Sequence, residues 1–110
     1  MKIPFAEHAE IDIRKLRDYV LNPDHAAGKH KAILWFATLS ITAEHADELS
    51  IELLTAVKSN DAKIGKFDRY GQRYTVDFLL EWRGKSAIIR SGWIIAHGSD
   101  VPRLTTAFPR

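Results

Sequence analysis

The chain reads as an α+β domain, with two to three N-terminal helices packed on one face of a four-stranded antiparallel meander sheet. Three features lead there. Apolar residues recur at helical spacing up to residue 58 and at a period of two after residue 61. Glycine-containing clusters at Arg69-Tyr70-Gly71, Trp82-Arg83-Gly84-Lys85 and Gly98-Ser99-Asp100 separate the later apolar runs at hairpin spacing. Helices come first and strands follow without alternating with them, the order of an antiparallel sheet with its helices on one side.

A length of 110 residues, 45% hydrophobic and 27% charged, suits one globular core. Residues 1–110 are therefore taken as a single domain, with an arm at 1–11, helices at 12–58 and the sheet at 61–108. Cysteine is absent, which excludes disulfides, thiolate catalysis and cysteine-ligated metal. The net charge of +2 and pI near 9.0 admit a polyanionic partner without requiring one. No apolar run approaches the roughly 20 residues of a membrane span, and the N-terminus lacks a signal-peptide core. The expected location is cytoplasmic; in a longer secreted protein the targeting signal would lie elsewhere.

Met1–Ile11, with Pro4, reads as an arm with a short extended piece at Lys2–Phe5. Asp12 is the N-cap of an amphipathic helix over 12–21 that presents Ile13, Leu16, Tyr19 and Val20. Asn22-Pro23-Asp24 stops it. A second helix spans 28–39. Its interior, Ala32-Ile33-Leu34-Trp35-Phe36-Ala37, is apolar nearly all round, which predicts a buried helix. Thr42 caps a third helix over 43–58, with Ala46, Leu49, Leu53, Ala56 and Val57 as its stripe and Glu44, His45 and Glu48 on a solvated face.

Four strands follow, at 62–67, 72–80, 86–97 and 103–108. The second alternates strictly: Tyr74, Val76 and Phe78 face one way, and Arg73, Thr75 and Asp77 the other. In the third, Ile89, Ser91, Trp93 and Ile95 form the more burying set, which places Arg90 on the open face. Alternation in the fourth groups Arg103, Thr105 and Ala107 on the open side, with Leu104, Thr106 and Phe108 opposite.

The open face thus gathers arginines and threonines. Guanidinium groups suit bidentate phosphate contact, although Arg73–Asp77 also reads as a plain surface ion pair. The basic cluster Lys29-His30-Lys31 falls in a first helical turn, where free backbone N–H groups favour an anion. His30 is the natural acid/base candidate because its unperturbed pKa lies near working pH. His25 and His97 read as structural. His8, Glu10 and Asp12 lack a partner set with metal-ligand spacing, so neither metal nor cofactor is expected. Imidazole, guanidinium and hydroxyl groups together fit cleavage of RNA by attack of the ribose 2′-OH. In that reading His30, Arg73, Arg90 and Thr105 are catalytic. Lys29, Lys31, Arg103 and Trp93 bind substrate, Trp93 by stacking a base.

Gly28-Lys29-His30-Lys31-Ala32, Tyr70-Gly71-Gln72-Arg73-Tyr74, Val76-Asp77-Phe78, Ile89-Arg90-Ser91-Gly92-Trp93-Ile94-Ile95 and Pro102-Arg103-Leu104-Thr105-Thr106-Ala107-Phe108 resemble the blocks of a small uncharacterised bacterial domain family. Its members occur as short stand-alone proteins and as toxin-like C-terminal domains. The layout is also similar to the Barnase–EndoU–colicin–RelE group of metal-independent ribonucleases. The ending Thr106-Ala107-Phe108-Pro109 is similar to the Thr-Ala-Tyr-Pro of several toxins in that group, and this match points to Thr106 rather than Thr105. The resemblance implies a toxin-type ribonuclease held by a cognate antitoxin or immunity protein. A non-catalytic module of the same fold that binds RNA or protein is the alternative.

Overall fold

Asp12 opens the helical half of the chain by accepting a hydrogen bond from the Arg14 backbone N–H at 3.0 Å. The computed structural model describes residues 1–110. A single α-helical turn, α1 (Ile13–Lys15), runs directly into a π-helical turn, Leu16–Val20, closed by a 2.8 Å bond from the Leu21 N–H to the Leu16 carbonyl. The predicted first helix is thus present but wider than an α-helix. Helix α2 (Lys29–Leu39) starts from Gly28 and ends at Ser40, whose left-handed φ of 57° stops it. Thr42 caps the next segment, with His45 in the place an acid usually takes: the Thr42 N–H donates to His45 Nδ1 at 3.0 Å. A 3-10 turn, Ala43–His45, leads into α3 (Ala46–Ser59).

The sheet is β1 (Lys63–Asp68), β2 (Gly71–Trp82), β3 (Lys85–Ala96) and β4 (Pro102–Pro109), antiparallel throughout and in the order β1-β2-β3-β4. Gly71 has φ 143°, and a Cβ there would fall 2.2 Å from the Ile95 carbonyl oxygen, so only glycine lets β2 start against β3. Tyr74, Val76, Phe78, Leu80, Ile89, Trp93, Leu104 and Ala107 form the covered face. Leu16, Val20, Trp35, Leu39, Leu49, Leu53 and Val57 pack onto it from the helical layer. Each fully buried Leu or Ile there contributes on the order of 1.5–3 kcal/mol relative to exposure. No helix is long and apolar enough to cross a membrane.

Three expectations are corrected. The arm has no extended piece at Lys2–Phe5. Ile3 and Ala6 enter the core, Ala6–His8 is a 3-10 turn, and Glu10 pairs in parallel with Arg103 along β4. Apolar burial and two backbone bonds to Pro102 and Leu104 hold it.

Helix α2 is not buried all round. Ala32, Trp35 and Leu39 face inward, and Ile33, Leu34 and Phe36 remain exposed. The helix packs chiefly against β4, at one side of the sheet, where Trp35 Nε1–H donates to the Ala107 carbonyl at 3.0 Å. A helix in that place has only one face to bury.

The parity assumed for β4 fails halfway. Gly92 pairs with Thr106, but Trp93 pairs with Leu104, so Thr105 is an extra residue in a β-bulge. Beyond it Ala107 turns into the core, and Thr106 and Phe108 come to the open side.

Candidate functional site

The open face is a grid set by strand pairing. Its middle row is Thr75, Gly92 and Thr106, with Thr105 bulged beside them. One row along lie Asp77, Arg90 and Phe108, and on the other side Arg73, Ile94 and Arg103. Gly92 leaves the centre of the face without a side chain. A Cβ there would meet Thr105 Oγ1 at 2.9 Å and Thr106 Cγ2 at 3.2 Å. The bulge therefore aims the Thr105 hydroxyl over the glycine, onto the open face. Thr105 and Thr106 both reach this face, but the Thr106 hydroxyl is buried with no hydrogen-bond partner.

Charge on this face is organised in pairs. Arg90 donates to both Asp77 oxygens, at 3.0 and 2.9 Å, and Arg110 donates to Asp77 Oδ2 at 3.0 Å. The Arg90 hydrogen bond, joined by the charges of Arg90 and Arg110, holds the Asp77 carboxyl below its ordinary pKa. The same bond raises Arg90. Arg73 donates to Asp68 at 3.2 Å, and the Tyr70 backbone N–H, more than Arg73, lowers the Asp68 pKa. Arg103, Lys29 and Lys31 make no ion pair.

The remaining expected residues are distributed unevenly. Lys31 extends its ammonium group to 5.8 Å from the Phe108 ring centre, so the basic first turn of α2 borders the open face beside Arg90. Lys29 and His30, the two residues before Lys31, are exposed, and no hydrogen bond joins His30 to Arg73 or Arg90. Trp93 is 1% exposed and donates from its indole to Ser91 Oγ, which in turn donates to the Val76 carbonyl. It is a core residue, so its expected stacking role is corrected: no base can reach a ring enclosed on both sides.

His25 Nδ1 accepts from the Ala27 and Gly28 N–H groups, shaping the turn into α2. His97 Nε2 bonds the Asp68 carbonyl at 2.8 Å, tying the end of β3 to the first hairpin. His45 is not simply solvated: with Glu48 it holds Arg83. No group of three or more His, Asp or Glu side chains is arranged to hold a metal ion.

Two neighbours of the site escape sequence reasoning. A cleft of about 710 Å³ runs between the arm and β4, where Glu10, Asp12 and Lys15 face Arg103 and Thr105. Glu10 arrives there through one parallel bridge, which leaves no periodic signal. Arg110 follows a strand that alternation ends at Phe108, yet its N–H pairs with the Ile88 carbonyl and its guanidinium reaches Asp77.

Together these features define a helix-backed antiparallel meander whose uncovered face displays guanidinium and hydroxyl groups. Comparison with known proteins agrees with that architecture. The chain belongs to the family described as Domain of unknown function (DUF6883), whose model matches residues 2–110. It is similar to a chain of the contact-dependent growth inhibition toxin–immunity protein complex from Klebsiella pneumoniae 342, with a TM-score of 0.65 and 98% of each chain covered. At 18% identity the likeness is one of fold. No curated protein matches the sequence.

Proposed function

We propose that this chain is a toxin-type, metal-independent ribonuclease, held by a cognate antitoxin or immunity protein, with the open sheet face as its RNA site. The observation that carries the reading is the Thr75–Gly92–Thr105 centre flanked by Arg73, Arg90, Arg103 and Arg110. A phosphodiester seated over Gly92 receives the Thr105 hydroxyl on a non-bridging oxygen. Arg73 and Arg90 stabilise the charge that builds as the 2′-oxygen attacks phosphorus. The step passes the 2′-OH proton to a base, returns one to the departing 5′-oxygen, and leaves a 2′,3′-cyclic phosphate; His30 is assigned to this proton transfer. Lys29 and Lys31 bind the flanking backbone. The similar fold in a toxin–immunity complex supports a partner of that kind. Of the two members of such a pair, the one that holds phosphate is the one that needs guanidinium groups.

A second reading has its own support. Arg73 and Arg90 already hold carboxylates, and no hydrogen bond links His30 to them. That arrangement suits a non-catalytic module that binds RNA or protein. The two separate when purified protein is incubated with total RNA, with and without EDTA. The nuclease reading expects cyclic-phosphate ends with or without EDTA, lost in His30→Ala and Arg90→Ala. RNA retained on the protein but left intact selects the binding module.

A further inference from the structure

The outer side of α2 is not accounted for by the fold. Ile33, Leu34 and Phe36 are 55, 43 and 61% exposed, and Ala37 extends the same surface. A helix that only shields a sheet edge carries polar residues on its outer side. Beside this surface runs a groove of about 540 Å³, floored by Leu21 and Ile41 and walled by Ile33 and Phe36. On this side of the helix, one turn before Ile33, Lys29 and His30 are exposed, and Lys29 has no carboxylate partner; Lys31 lies on the opposite flank, against Phe108. Contiguous exposed apolar surface next to a concavity marks a place of association, and the unpaired cation beside it selects an acidic group on the visitor. A second copy of this chain fits poorly, since Glu44 is the only acidic residue lining the groove.

We propose that the outer face of α2 is the docking surface for the cognate immunity-type protein, which inserts an apolar ridge into the groove and sets a carboxylate against Lys29. The inference rests on the toxin reading above and deepens it by naming the surface. A protein seated here also covers the exposed His30, the residue assigned to proton transfer. Binding and neutralisation then follow from a single contact.

The test uses the purified chain and the purified product of the gene adjacent to its own. Binding is followed by calorimetry, and the oligomeric state of each protein by light scattering. The wild-type chain is expected to form a one-to-one complex that weakens as salt is raised. Phe36→Asp is expected to weaken it by about a hundredfold, the scale of a central aromatic contact. Because Phe36 is exposed, Phe36→Asp should melt like the wild type, and Ile33→Asp provides an independent second variant. Wild-type affinity in both variants overturns the proposal. So does failure of the adjacent product to bind, or a dimer of the chain alone that Phe36→Asp dissociates. Loss of binding in the variants, with RNA never cut by any form, leaves the docking surface standing and removes only the nuclease reading.

Discussion

Asp77 receives Arg90 side-on across neighbouring strands, through two hydrogen bonds of 3.0 and 2.9 Å, and takes a third from Arg110. One carboxylate therefore restrains two of the guanidinium groups on the open face. In Asp77→Asn those groups gain freedom to meet phosphate. RNA binding by this variant should tighten, and the slope of log affinity against log salt should steepen by about 0.7 to 1.4, the increment for one or two more phosphate contacts to a single strand. Filter binding over a salt series measures it.

The same cluster gives a pH signature. The folded Asp77 pKa lies below its ordinary value, so the stability it contributes is present above the unfolded pKa of about 3.9 and is lost as pH falls through the folded value. The melting temperature of Asp77→Asn should sit below that of the wild type between about pH 5 and 7, with the gap closing as pH falls below the unfolded pKa of about 3.9 and on through the lowered folded value. A constant gap at every pH would place the effect outside titration of this group.

Thr105 and Thr106 should respond in opposite ways to the near-isosteric change to valine. The Thr106 hydroxyl is buried without a partner, and removing it lifts a desolvation cost of about 1–3 kcal/mol in the least favourable case, so Thr106→Val should be neutral or stabilising. Thr105 directs its hydroxyl over Gly92, so Thr105→Val should keep its melting temperature and lose RNA cleavage or binding. Paired thermal melts and RNA assays on the two variants check both halves.

Trp35 ties α2 to β4 through its indole bond to the Ala107 carbonyl. Trp35→Phe keeps most of the apolar burial and leaves that carbonyl unpaired, at a cost of about 1–3 kcal/mol. Denaturant titration should show the loss, and hydrogen exchange should show it concentrated in α2.

Gly28 sits against the preceding turn so closely that a Cβ would fall 2.0 Å from the Tyr19 carbonyl oxygen. That oxygen belongs to the backbone and cannot swing aside. Gly28→Ala should lower stability by about 2–3 kcal/mol and displace the basic first turn of α2. An unchanged chemical denaturation midpoint would contradict this packing.

Much of the architecture is legible in the residues, for a simple reason. A strand's side-chain period is two and a helix's is 3.6, so the change of period after residue 61 marks the boundary between layers. Tyr74, Val76 and Phe78 had to share a covered face, and Arg73, Thr75 and Asp77 the other, because no regular strand can place them otherwise. Ser91 and Trp93 follow on β3 by the same parity, and Arg90 falls opposite them. The outward face of α2 misleads, because an apolar helix reads as buried whether its second partner lies in the same chain or in another protein.

Composition and periodicity settled the layers, their order and the sidedness of β2 and β3, since these follow from local geometry that each residue carries with it. Folding alone settled the bulge at Thr105, the seat of α2 beside β4, the docking of Glu10 along that strand, and the capture of Arg90 and Arg110 by Asp77. Each of these depends on which distant segments meet. A single residue inserted in one strand reverses every facing beyond it, and a charge finds its partner only once strands from separate parts of the chain lie side by side.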